Sequence, residues 1–176
     1  MFVEELLERL RLLDEEAELR FDDDRRFRMI IVGGGALLLL DTISRATRDI
    51  DALDATAEIH TLLEKYDINM RVTAYMFYFP YNLEDRLVPV QLPTKKIDYY
   101  TASLEDIVVS KLYSDRDTDR QDILSAEVLA AIDWDVLDHL VYDEDEAKAN
   151  AYFEQEYQRL LYNYEEYRGR YHPCGS

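Results

Sequence analysis

A single cysteine, Cys174, stands among the 176 residues, so no internal disulfide can form. His60, His139 and His172 are scattered and build neither a zinc site nor a catalytic triad. Bases are scarce: 20 lysines and arginines face 38 aspartates and glutamates, for a formal net charge of -18. That sign opposes the phosphate-neutralising attraction on which non-specific nucleic-acid binding rests, and so argues against non-specific duplex DNA binding. Long apolar runs are missing as well. The longest is interrupted by Gly33, Gly34 and Gly35 and ends at Asp41, short of the ~20 residues a membrane-crossing helix needs. The opening MFVEELLERL is acidic and amphipathic, unlike a secretory signal, and with the lone cysteine it sets the expectation of a cytoplasmic protein with no membrane partner. The length suits one domain with a real core.

What the chain does have is concentrated in Met29 to Asp51, MIIVGGGALLLLDTISRATRDID. It reads as a strand, a glycine turn, an apolar helix and two aspartates one residue apart. Gly33 and Gly34 let backbone approach a bulky anion at the start of a helix, where N–H groups and the dipole favour negative charge, so phosphate is the natural guest. If Asp49-Ile50-Asp51 is extended, both carboxylates share one face, because side chains alternate along a strand. Two hard oxygen ligands side by side suit Mg²⁺ or Mn²⁺, the cations of phosphoryl and nucleotidyl transfer. The bland alternatives are an edge strand with solvated acids and a turn that merely allows tight strand-to-helix packing.

The order glycine turn, then Asp-x-Asp, resembles the minimal nucleotidyltransferase superfamily. VGGGA followed by SRATRDID is similar to the bacterial group related to the AbiEii-type toxins of toxin–antitoxin systems. A second block, Ser103 to Leu112 with Lys111, then Arg116, Asp119 and Asp122, resembles that group's acidic-hydrophobic helix and its following R-x-x-D-x-x-D. The resemblance implies a small mixed α/β sheet flanked by helices, with an NTP as substrate and a cation held by Asp49 and Asp51. The implied acceptor hydroxyl belongs to RNA or protein, and the partner is an antitoxin protein. Ser44 either binds phosphate or caps a turn; Arg45 and Thr47 orient the triphosphate or hold the loop. Lys111 is implied as a point charge for a phosphate, free on its helix, so that Lys111→Ala would leave folding intact. Asp119 either completes the site as an acid or base or joins Asp122 and the arginines as scaffold. Such enzymes carry a third carboxylate on a neighbouring strand. No motif identifies one here, and Asp98 is the nearest candidate. A catalytically degenerate nucleotide- or protein-binding member of the same fold is the alternative, and an interaction module built on the acidic C-terminal helices is a third reading.

The patterning places an N-terminal helix over 1–20, with Phe2, Leu6, Leu10 and Leu13 on its packed face. A sheet core follows over 27–100 and a helical C-terminal region over 103–170, in a single nucleotidyltransferase-like domain. Ser103 reads as a helix cap with Asp106. Asp117 to Ile132 reads as one helix and Asp145 to Arg168 as another. The run Tyr75-Met76-Phe77-Tyr78-Phe79 reads as core, with base stacking the other use open to it. The acid excess reads as a solvated surface, or else as an acidic face for a basic protein partner.

Overall fold

The computed structural model describes residues 1–173, so Cys174 lies outside the described residues. The fold is mixed α/β, a five-stranded mixed sheet flanked by helices with a helical C-terminal region. It packs as two compact units, Met1–Ala74 with Leu87–Ala102, and Tyr75–Arg86 with the chain from Ser103 onward. Tyr75–Arg86, which the sequence pattern assigns to the sheet core, packs instead with the helices.

The first unit runs α1 (Val3–Arg20), β1 (Phe27–Val32), α2 (Gly33–Leu39), β2 (Ile50–Ala55), a 3₁₀ turn, α3 (His60–Lys65), β3 (Ile68–Asn69), β4 (Val88–Pro89) and β5 (Ile97–Thr101). The sheet order is β3-β2-β1-β5-β4. β1 is antiparallel to β2 and parallel to β5, β3 is parallel to β2, and β4 is antiparallel to β5. The continuous apolar character of β1 matches its position as the central strand, where Met29 to Val32 are all buried. α1 covers its own part of this core with Leu6, Leu10, Leu13 and Ala17, spaced at helical intervals and fully buried. Phe2 does not join them. It precedes the first helical residue and stays 54% exposed, while its N–H donates to Glu5 Oε2 at 2.8 Å.

Asp14 lies on the packed face of α1 and is nearly buried. Its Oδ1 accepts from the backbone N–H of Lys96 at 2.8 Å and of Ile97 at 2.7 Å, and its Oδ2 from that of Lys95 at 2.9 Å. One carboxylate thus satisfies three backbone donors at the entry to β5. Asp14→Ala is expected to lower the unfolding free energy by about 2–3 kcal/mol, since orphaned buried donors cost about 1–3 kcal/mol each and the more exposed one can turn to water. Urea unfolding checks it. An unchanged midpoint would show that the clasp contributes nothing.

The second unit contains α4 (Leu104–Leu112), α5 (Asp117–Ile123), α6 (Ala126–Ala131), α7 (Trp134–Tyr142), α8 (Ala147–Asn150) and α9 (Glu154–Tyr171). Ser103 caps α4 as expected, its Oγ accepting from Asp106 N at 3.1 Å. The single helix expected over Asp117 to Ile132 breaks at Ser125, whose Oγ accepts from Val128 N at 3.3 Å and starts a new helix. The long final helix breaks as well, because the Asn150 amide donates to the carbonyls of Met76 at 2.7 Å and Phe79 at 2.8 Å. Among the described residues no helix is long and apolar enough to cross a membrane.

Candidate active site

The end of β1 and the start of α2 meet at Gly33, whose φ of +66° lies in the left-handed region that side-chain-bearing residues avoid. A Cβ on Gly33 would stand 2.9 Å from Asp51 Oδ2. A Cβ on Gly34 would stand 3.1 Å from Thr47 Oγ1 and 3.6 Å from Arg45 Nη2. The two sequence motifs are therefore packed face to face, and glycine is what permits the approach. The turn leads into α2, whose first N–H groups carry no intrahelical acceptor.

Asp51 sits on β2 opposite Val32, half-buried, and its Oδ1 accepts from the Asn69 amide at 2.8 Å. Asn69 lies beside it in parallel register on β3, and its own Oδ1 accepts from Arg71 N at 2.9 Å. Asn69 orients the Asp51 carboxylate and was not singled out by motif. The only signal for it is a polar residue closing a short strand. Asp49 lies just before β2 and is exposed, while Ile50 between the two acids is fully buried. Burial alternates through Asp49-Ile50-Asp51, but the strand expected from Asp49 begins at Ile50, so Asp49 stands in a bend ahead of it and only Asp51 of the two acids lies on the strand.

The loop ahead of the acids is fixed at Thr47. Its N–H donates to Met1 O at 3.0 Å, its carbonyl accepts from the Met1 amino group at 2.9 Å, and its Oγ1 donates to Asp49 O at 3.2 Å. Thr47 is buried and holds the loop. Ser44 and Arg45 are exposed on the same loop, where Arg45 Nη1 donates to Ala46 O at 3.1 Å.

A bulge in β2 shifts the register between Ile30 and Ile31, so that Asp54 faces Ile30 and shares the Asp51 side of the sheet. Arg28 closes on it, Nη2 to Asp54 Oδ2 at 2.8 Å. Asp98 does not complete the acidic set. It stands opposite Arg28, four residues along β1 from Val32, a separation of about 13 Å at ~3.3 Å per residue. Its carboxylate is paired with Arg26 Nη2 at 2.6 Å.

Lys111 and Asp119 lie in the second unit, in a cluster of their own. Lys111 is buried rather than free on a helix face, and its Nζ bridges Asp119 and Asp122, the latter at 2.9 Å. Ser114 Oγ donates to Asp119 Oδ2 at 2.6 Å, and the exposed Arg116 stands 3.8 Å from the same oxygen. Burial works to raise the Asp119 carboxyl, but the Lys111 charge and the hydrogen bonds of Lys111 and Ser114 outweigh it and hold it below the ordinary carboxylate value. The structure thus brings together Gly33, Gly34, Arg45, Thr47 and Asp51 in one unit, and Lys111, Asp119 and Asp122 in the other.

Residues 8–172 match the model of a protein family described as "Nucleotidyltransferase of unknown function (DUF6036)". The chain belongs to that family. No curated protein and no solved structure matches it. For a member of this nucleotidyltransferase family the donor set decides what metal fits. Among the described residues no three or more His, Cys, Asp or Glu side chains form a cation cage. The half-buried Asp51 carboxylate, oriented by the Asn69 amide, with the exposed Asp49 just ahead of the strand, would fit Mg²⁺, which keeps several waters and completes its shell with substrate phosphates.

Proposed function

We propose that the chain transfers a nucleotidyl group from a Mg²⁺- or Mn²⁺-bound NTP to a hydroxyl of RNA or protein. We place it beside the AbiEii-type toxins, with an antitoxin protein as its partner. The observation that carries the proposal is the seating of Asp51 against the Gly33 turn, in a chain of the nucleotidyltransferase family. In the reaction the acceptor hydroxyl gives its proton to solvent as its oxygen bonds to the α-phosphorus, the bond from that phosphorus to the oxygen bridging it to the β-phosphate breaks, and pyrophosphate leaves. Asp49 and Asp51 would hold the cation, which when bound would supply positive charge against the developing negative charge of the phosphates. Asn69 keeps Asp51 in one orientation, the N–H groups opening α2 receive phosphate oxygens, and Ser44 and Arg45 steer the triphosphate from the exposed loop. Thr47 holds that loop, and Lys111 and Asp119 have a structural part because each is committed to the other.

The second reading, a nucleotide binder without turnover, is favoured by one observation: Asp98, the nearest candidate for a third carboxylate, is tied to Arg26 at the far end of β5. Calorimetry and label transfer separate the two. The native protein should bind Mg²⁺–NTP more tightly than NTP alone, and Asp49→Asn/Asp51→Asn should abolish that difference while leaving the fold intact. Incubation with α-labelled NTP, Mg²⁺ and cellular RNA and protein should then yield label on an acceptor. Binding without transfer establishes the degenerate reading. Equal or undetectable NTP binding with and without Mg²⁺ rejects the metal site itself.

A further inference from the structure

The aromatic run that reads as core is largely outside. In the second unit Met76, Phe77, Tyr152 and Phe153 are 42%, 43%, 61% and 59% exposed, while only Phe79 of the run is buried. The three rings among them touch in a row. The Phe77 and Tyr152 ring centroids lie 4.9 Å apart, and Tyr152 meets Phe153 edge-on at 4.4 Å. The two segments are locked together by Asn150, which donates to the carbonyls of both Met76 and Phe79. The surface is therefore preformed, with its rings partly exposed to solvent. Clustered exposed apolar side chains of this kind mark contact surfaces rather than ordinary solvated ones.

The charge around the patch is mainly negative. Glu154 follows Phe153 directly and is exposed, and Glu156 accepts from Tyr78 Oη at 3.5 Å. The nearest base in sequence, Lys148, is taken by Glu144 at 3.0 Å. Tyr75–Arg86 and the chain from Ser103 to Ser176 hold 20 acids against 8 bases, so the helical unit carries most of the protein's negative charge. A nucleic-acid strand offers ring faces to stack but brings phosphates into this field. An arginine-rich protein segment meets both features at once, because a guanidinium stacks on an aromatic face and forms a fork with a carboxylate.

We propose that the Phe77–Tyr152–Phe153 surface with Glu154 is a docking site for an arginine-rich, apolar-flanked segment of a protein partner. This does not depend on the transferase reading and uses none of its residues. The test employs two labelled peptides of equal charge, one alternating arginine with leucine and the other alternating lysine with serine, followed by fluorescence anisotropy. The native protein should bind the arginine–leucine peptide about tenfold more tightly, the size expected from a few guanidinium–ring contacts. Phe77→Ser/Tyr152→Ser/Phe153→Ser should lose that preference with its helical circular dichroism unchanged. Glu154→Gln, which leaves every ring in place, should weaken it partially. Equal binding of both peptides by the native protein overturns the proposal, as does a preference retained in the triple variant. It is equally overturned if the patch proves to drive self-association, seen as concentration-dependent sedimentation that the triple variant loses. Single-stranded oligonucleotide binding lost in the same variant would assign the rings to bases and overturn it too.

Discussion

Lys111→Ala is expected to lower the unfolding free energy by about 3–5 kcal/mol, the range for leaving a buried charge without its partner. The Lys111, Asp119 and Asp122 side chains are only 6%, 14% and 1% exposed. Without the ammonium, two carboxylates three residues apart on α5 face each other in a site that excludes most water. The pH dependence follows from the depressed Asp119 carboxyl. A folded value below the unfolded one contributes stability that is present above the ordinary 3.8 and is lost as pH falls through the folded value. The gap between native and variant should begin to close where Asp119 of the variant, no longer held down by the ammonium, takes up its proton. It should vanish once Asp119 of the native protein does so, below 3.8. Denaturant unfolding at neutral pH and in acid measures both. Lys111→Met/Asp119→Asn/Asp122→Asn, which removes the whole cluster, should recover much of the loss. A Lys111→Ala protein as stable as its parent would return the lysine to a role in binding.

Arg86→Met is expected to cost about as much, roughly 3–5 kcal/mol, by the same imbalance. The guanidinium forks onto Asp106, Nε to Oδ2 at 3.0 Å and Nη2 to Oδ1 at 2.9 Å, and reaches Glu146 Oε1 through Nη1 at 3.0 Å. Asp106 is fully buried and Glu146 nearly so. Here burial wins: it pushes Asp106 above the ordinary carboxylate value despite the hydrogen bonds of Arg86 and Ser103, and Glu146 adds to the push. The sign is thus reversed. A raised folded value contributes stability that is full below the ordinary 3.8 and is lost as pH rises through the folded value. As pH falls from neutral, the Arg86→Met penalty should shrink while pH is still above 3.8, unlike the Lys111 penalty, which disappears only below it. Thermal unfolding across that interval distinguishes them. Penalties that closed over the same interval would contradict the opposite shifts of the two acids.

The sheet was legible because its strands advertise themselves. Phe27–Val32 is a continuous apolar run, and Ile50 in the Asp49-Ile50-Asp51 alternation is a single apolar residue that must face inward. The meeting of the glycine turn with Asp51 was legible, since Gly33 and Asp51 are neighbours across one strand pair. What stayed hidden depends on side chains meeting from distant segments. Lys111 reads as an ordinary helix-surface lysine until α5 folds back and brings Asp119 and Asp122 to it. The breaks at Ser125 and after Asn150 have the same character. Ser125 is a good cap placed inside a helical pattern, and Asn150 is drawn away by carbonyls more than seventy residues earlier. Asp14 carried a signal that was missed, because an acid four residues after Leu10 falls on the packed face of its helix.

The chain leaves the sheet unit at Tyr75 and returns at Leu87, and this detour dictates an order of assembly. β5 pairs with β1 across some seventy residues, and its entry is clasped by Asp14 from 83 residues upstream at Ile97. During synthesis the central strand therefore waits for its parallel neighbour until most of the first hundred residues have emerged, a non-local closure of the slow kind. The Tyr75–Arg86 excursion waits longer still, because Arg86 finds Asp106 only after the sheet unit is complete and Glu146 only some forty residues beyond that. No single cut separates the two units cleanly. A fragment ending at Ala102 would retain the whole sheet yet carry an exposed aromatic segment and an arginine stripped of both its acids.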